Sequence, residues 1–343
     1  MAAGRPRVEL SRAQILAHRL RVSDLAHRLP PGAASLRRAA WAGLSDSMPR
    51  GALLSIHARV SGTRPDAWED PALVQVWGPR FSTYVIAAED RAVFTLGRMP
   101  DEPAKVAFAV SVADDLERYL AGRTMSYAEA GHGMGVHPNS LRYGTTTGRI
   151  LIRWEGAGRP LIRTVPAPEM SVEDARLELA RRYLHVLGPG TAEAFGDWAG
   201  IRPARATRIV DALGGELAPV GTPIGDHWIL ASDESSFRAA PATQPSAVRL
   251  LPSGDTWFLL QGADRELLVP DAHLRARLWT PRVWPGALLV DGEARGTWRR
   301  ANAVVDIDAW GPLSAADREQ VETEAASLPL PGIERDIRIR WGT

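Results

Sequence analysis

The stretch TTTGRILIRWEGAGRPLIRTV, residues 145–165, alternates apolar and polar positions on both sides of a Gly-rich bend at 155–158. Alternation broken by such a bend spells a β-hairpin. Upstream, 111–121 has Leu116 and Leu120 on one helical face, and 126–130 makes a short second helix. After the loop GHGMGVHP, Asn139 to Tyr143 makes a third. Helix, short helix, short helix and hairpin together outline a winged helix-turn-helix.

The same outline recurs on either side. Ser11 with Gln14 three positions on is a capping box, and Ile15, Leu16, Leu20, Leu25 and Leu29 follow as an apolar face up to Pro30-Pro31-Gly32. Ser35 caps a second helix to about Leu44, and Pro49 opens a third with Leu53, Leu54, Ile56 and Val60 behind it. Residues 80–87 read as the strand that completes this first unit. In the third unit, Ser171 and Asp174 open a helix over 171–187, with Leu177, Ala180, Leu184 and Leu187 at helical spacing. Two more helices span 191–201 and 202–215, the latter with Pro203 near its start and Gly214 near its end, and strands follow at 215–220 and 227–232.

A Pro/Ala/Ser-rich stretch over 238–247 reads as a linker. Beyond it, 248–252, 256–260, 286–292, 293–300, 303–310 and 333–341 read as short strands, interrupted by an acidic helix opening at Ser314. That pattern suggests a small β-barrel. The expected fold is therefore α+β. Winged-helix units cover 1–104, 105–170 and 171–245 (linker included), and a C-terminal barrel covers 246–343. Eight of the twelve Trp follow residue 190, where packing is the default reason for them.

With 343 residues, 45% apolar and 24% charged, the chain is ordinary globular material. It has no apolar run long enough to span a membrane, and its N-terminus has no signal-peptide core. It has no Cys, which excludes disulfides, thiolate metal sites and a cysteine nucleophile. A reducing cytoplasm is the expected compartment. The net charge is +1, but residues 1–60 carry ten Arg against Glu9, Asp24 and Asp46. Residues 121–182 carry nine Arg against six acids. Two basic blocks on a neutral chain suggest one surface for a polyanion. Arg-for-Lys bias is the plainer explanation, since Lys105 is the only lysine.

Four enzyme signatures do not hold. There is no P-loop and no G-x-S-x-G. The run Gly131–Val136 neither follows a strand nor opens a long helix, so no nucleotide cofactor is expected. His132 and His137 lack a third ligand nearby, so no metal is expected either. What stands out is Ser45-Asp46-Ser47, which joins two helices inside the most basic block, with Arg50, His57 and Arg59 following. The plain reading is a helix cap ahead of Pro49. The sharper one is a carboxylate held among arginines and exposed toward DNA at the floor of a channel.

Several segments together resemble the YcaQ/AlkZ-like winged-helix DNA glycosylases. They are 10–21, 39–60, 93–100, 147–160, 180–201, 248–260, 264–271 and 284–298, in family order over nearly the whole chain. The resemblance implies three tandem winged helices and a barrel forming a C-shaped clamp on double-stranded DNA. It also implies excision of bulky alkylated purines and, in some members, unhooking of crosslinks. The family's Gln-x-Gln/Asp motif falls on Ser45-Asp46-Ser47, where neither amide is present. A shift of one residue gives Asp46 the carboxylate position and Leu44 that of the Gln. By this reading Asp46 is the base or electrostatic stabiliser and Ser45 or Ser47 holds the water. The alternative is a clamp or regulator that binds DNA without cleaving it. Expected DNA contacts are Arg37, Arg38, Arg50, His57 and Arg59 in the first unit. The second unit offers Asn139 and Arg142 on the recognition helix and Arg149, Arg153 and Arg159 on the wing. The third offers a row at Arg202, Arg205 and Arg208.

Overall fold

The computed structural model describes residues 8–48, 50–154, 158, 160–239, 247–333 and 336–342. Strand β1 (Val8–Glu9) leads into helix α1 (Arg12–Val22), whose Ser11 and Gln14 exchange the expected capping-box bonds. The helix stops well short of Pro30 because Asp24 turns left-handed at φ 54°. Helix α2 (Ala33–Ala39), strand β2 (Leu44–Ser45) and helix α3 (Gly51–Arg59) follow, then strands β3 (Leu73–Trp77) and β4 (Thr83–Ala87) and helix α4 (Arg91–Thr95). Next come α5 (Pro103–Leu120), β5 (Met125–Ser126) and α6 (Tyr127–Gly133), a 3-10 run at Pro138–Thr147, and the hairpin β6 (Ile150–Arg153) and β7 (Leu161–Thr164). The tip of that hairpin, with Arg159, lies outside the described residues, as do Pro49 and most of the expected linker.

Helix α7 (Val172–Leu187) starts where the Ser171 hydroxyl accepts the Asp174 N–H. It is followed by α8 (Ala192–Ala199), α9 (Pro203–Leu213), strands β8 (Leu217–Thr222) and β9 (Gly225–Leu230), and α10 (Glu234–Arg238). The C-terminal part holds β10 (Val248–Leu251), α11 (Arg265–Leu268), α12 (Ala272–Leu278), β11 (Gly286–Val290), β12 (Glu293–Ala301), β13 (Val304–Ala309), α13 (Ala315–Ala326) and β14 (Arg338–Trp341).

The sheets do not respect the boundaries read from sequence. Strands of the first two units form one six-stranded sheet in the order β2-β4-β3-β6-β7-β5, with β3 joined to β6 at Gln75 opposite Ile152. A division at 104/105 thus cuts through a single sheet. Strand β1 pairs in parallel with β8, Val8 opposite Val220, so the N-terminus completes the sheet of the third unit. The C-terminal sheet runs β10-β11-β12-β13-β14, and among the described residues β14 does not return to β10. The expected barrel is therefore an open sheet. Val321 and Ala325 of α13 cover one face, packed with Val248, Leu250, Leu288, Val305 and Ile307. The expected strand at 256–260 is also corrected. The Asp255 carboxylate accepts the Trp257 N–H and turns Thr256–Phe258 into a 3-10 loop.

The largest apolar cluster centres on Leu179, Tyr183, Leu184 and Leu187 of α7, with Phe195, Trp198, Ile209 and Leu213 beside them. Trp257 and Phe258 reach it from the C-terminal part, and Tyr84 and Ile86 from the first sheet. Each such side chain withdrawn from water contributes about 1.5–3 kcal/mol, so the cluster binds the units to one another. Arginines of the first basic block rivet the same seams. Arg12 pairs with Glu293 and donates to the Leu267 and Leu268 carbonyls. Arg19, fully buried, donates to the Leu187 and Gly188 carbonyls. Arg28 pairs with Glu324, and Arg59 with Asp255.

Candidate active site

Strand β2 ends in Ser45, paired with Tyr84 of β4, and the Asp46 N–H extends that ladder to the Thr83 carbonyl at 2.8 Å. Gly43, at φ 76°, makes the approach possible, since a Cβ there would sit 2.7 Å from the Phe94 ring. The chain then turns through Ser47 and Met48, both exposed, into α3. Arg50 holds the left-handed N-cap position of that helix, φ 64°.

The Asp46 carboxylate points inward. Its Oδ1 accepts the Ala52 N–H of α3 at 3.0 Å, and its Oδ2 accepts the Gln75 side-chain N–H of β3 at 2.8 Å. The Arg50 guanidinium lies 3.9 Å from Oδ2, stacks on Trp68 at 4.0 Å and donates to the Trp154 carbonyl at 3.2 Å. Asp46 is 1% exposed. Burial pushes its carboxyl up to about 6, against the pull of Ala52, Arg50, Gln75 and Gly51. The expectation of a carboxylate open at a channel floor does not hold: Asp46 is buried, and the next residue, Ser47, is the exposed one. The cap reading has a counterpart, because Ala52 is in the first turn of α3. Ser45 is buried, its hydroxyl 3.5 Å from that of Ser47 and facing Gly254 of the C-terminal part. Gln75 is the residue that sequence reasoning missed. A polar side chain in the run Leu73–Trp77 was the available signal, but nothing local links it to a carboxylate 29 positions earlier.

Other expected site residues are scattered. The Arg59 guanidinium is 3% exposed and bonded through both terminal nitrogens to fully buried Asp255, which also takes the Ser55 hydroxyl. His57 is buried against Ser327 and Arg28, and burial lowers its imidazolium to about 4. Neither reaches a surface that DNA could touch. Arg149 turns back onto Asp114 and Glu117 of α5, while Arg153 pairs with Glu69 and faces Trp68. Arg205 is buried against the Met99 carbonyl beside Asp101, so the row with Arg202 and Arg208 is broken at its centre. Arg142 is half-buried over Trp77 and Tyr127. Asn139 is exposed, Arg37 and Arg38 are partly exposed beside Glu89 and Asp24, and Arg202 is exposed beside Glu102. Tyr143 is exposed and meets Phe81 edge-on and Phe108 at a tilt.

Among the described residues one group of metal-capable side chains converges: His18, His185 and Asp233. Its donors are already engaged. His18 uses one ring nitrogen on the Ser236 hydroxyl and the other on the His185 carbonyl, and His185 Nδ1 meets the Asp233 carboxylate at 2.9 Å. A metal would have to displace three internal bonds.

Comparison with solved structures finds the fold again in the DNA glycosylase AlkZ of Streptomyces sahachiroi. The TM-score is 0.76 at 16% identity, over 98% of this chain and 100% of that one. No curated protein matches by sequence. A family model described as DNA glycosylase AlkZ-like matches residues 38–329, which include the β2–α3 loop, Gln75 and most of the C-terminal sheet. The chain belongs to the AlkZ-like DNA glycosylase family.

Proposed function

We propose that this protein is a DNA N-glycosylase that removes N-alkylated purines, crosslinked ones included, from double-stranded DNA, with Asp46 as its base. The observation that carries the reading is a carboxyl at the family's motif, held by Ala52 and Gln75, raised to about 6 by burial and next in sequence to the exposed Ser47. Such a group is ionised at neutral pH yet basic enough to accept a proton. A purine alkylated at N3 or N7 is cationic and leaves readily. The C1′–N9 bond breaks, its electron pair goes to the departing base, and water adds to C1′ while the Asp46 carboxylate takes the water proton. Ser47 holds that water, with the Ser45 hydroxyl 3.5 Å from its own. Arg50, which covers the carboxylate, has to swing off Trp68 to admit it. Arg37, Arg38, Asn139 and Arg202 serve as phosphate contacts. Arg59, Arg149 and Arg205 are structural. The units at 1–104, 105–170 and 171–245 act as winged helices on one duplex, and the protein works as a cytoplasmic monomer without a cofactor.

A second reading, DNA binding without cleavage, is favoured by the burial of Asp46 and its bond to the Ala52 N–H. An abasic-site assay separates the two. Duplex DNA carrying N7-methylguanine should acquire alkali-labile sites with the wild-type protein. With Asp46→Asn the rate should fall by about 100-fold and duplex binding should persist. No abasic sites with wild type would overturn the glycosylase reading, and equal rates with both would overturn the role given to Asp46.

A further inference from the structure

Gln75 is a buried amide in the middle of an apolar strand, between Val74 and Val76. A plain strand would carry a hydrocarbon there, since burying an amide without partners costs free energy. Both ends of this amide are occupied. The carbonyl oxygen accepts the Trp154 N–H at 2.6 Å, and the nitrogen donates to Asp46 Oδ2 at 2.8 Å. The nitrogen also lies 3.4 Å from the Trp154 carbonyl. The orientation is therefore fixed. Turned over, the amide would set its oxygen against a carboxylate oxygen and its nitrogen against an N–H. Trp154 follows β6, whose Ile152 is the register partner of Gln75, so the second unit's hairpin locks the amide.

We infer that Gln75 is a positioning residue for the Asp46 carboxylate, holding its plane against α3 and sustaining its ionised form, with the hairpin strand β6 as the backstop. Two donors from different elements, the Ala52 N–H of α3 and the Gln75 amide of β3, take one carboxylate oxygen each. Among the described residues Arg50 is the charged group that acts on Asp46. Arg50 reaches Oδ2 from the same loop, and Arg153 of β6 is paired with Glu69 across Trp68. The inference rests on the glycosylase reading for its catalytic meaning only; the control of the carboxyl is independent of it.

The test uses the full chain with Gln75→Met, which keeps the length and removes both polar ends. Gln75→Glu keeps the acceptor for Trp154 and replaces the donor by a second carboxyl. The Asp46 carboxyl is titrated by carbon-13 NMR, assigned by its loss in Asp46→Asn, alongside thermal midpoint, duplex Kd and N7-methylguanine excision from pH 5 to 9. Loss of the donor should raise the Asp46 midpoint by on the order of one pH unit. It should lower excision by about 2-fold at pH 7 and by about 10-fold at pH 5, recovering toward pH 9, and leave Kd within about 2-fold. In Gln75→Glu two adjacent carboxyls must share a proton, so the midpoint rises there too. A merely structural role would lower stability and rate evenly with pH and leave the midpoint in place, and that result overturns the inference. Should Gln75→Met fail to fold, an unchanged Asp46 midpoint in Gln75→Glu overturns it equally. If the wild type excises nothing, the glycosylase reading falls, while the titration still decides what Gln75 does.

Discussion

At the residue scale the proposed chemistry turns on the proton affinity of Asp46. Its folded value, about 6, stands above the ordinary 3.8 because burial disfavours the charge more than Ala52, Arg50 and Gln75 restore it. A carboxyl raised on folding adds stability that is full below the unfolded value and disappears as pH climbs through about 6. At pH 8 the ionised group therefore burdens the fold by an amount of order a few kcal/mol at most. Asp46→Asn should gain stability relative to wild type between pH 5 and pH 8, and urea unfolding at the two pH values measures it. Equal differences at both would mean the carboxyl is not raised. Asp46 itself was legible as a candidate from the serines around it and the basic block. Its burial was not, because burial depends on Thr83, Gln75 and Trp154 from three other strands and turns.

At the element scale, α3 is held by one buried pair. Arg59 at its C-terminal end meets Asp255 of the loop before Trp257, with no exposed surface on the acid. Removing one partner leaves a buried charge unpaired, which costs about 3–5 kcal/mol. Asp255→Asn should lower stability by that order in urea melts, and excision should fall through displacement of the β2–α3 loop. A small loss would mean that water reaches the pair. Arg149 makes the opposite case. Its guanidinium is already taken by Asp114 and Glu117, so Arg149→Ala should leave the salt slope of DNA binding unchanged, whereas loss of a phosphate contact would reduce it by about 1. Elements with local signals were legible: the Ser11 and Ser171 caps, the Pro203 and Gly214 ends of α9, and the 150–164 hairpin all stand where the sequence puts them. The 256–260 strand did not, since a single Asp255 bond outweighs an apolar run.

At the scale of the whole molecule, among the described arginines of residues 1–60, Arg19 and Arg59 are buried and Arg12, Arg28 and Arg50 are partly covered. Arg12, Arg28 and Arg59 close ion pairs with Glu293, Glu324 and Asp255, so chain ends far apart in sequence are sewn together. Charge counted along the chain overstated the surface available to DNA, because an arginine in a list does not declare its partner. Individual helices and the 150–164 hairpin were readable from sequence. The merging of two units into one sheet and the loan of β1 to the third were not, because both are pairings between distant segments. The same stitching predicts that residues 1–239 alone will not unfold cooperatively. They lose three buried or half-buried acids and the Trp257–Phe258 wall of the central cluster. A sharp calorimetric transition from that fragment would contradict the account.

The central claim is that an ionised Asp46, and no other group, removes the proton from attacking water. The direct measurement is the single-turnover rate of N7-methylguanine release from duplex DNA between pH 5 and pH 8, for the wild type and for Asp46→Asn. The account predicts a rate that climbs with pH and levels off above about 6 in the wild type, with that limb missing from a much slower Asp46→Asn. A flat wild-type profile, or a variant that keeps both the limb and the rate, would contradict it.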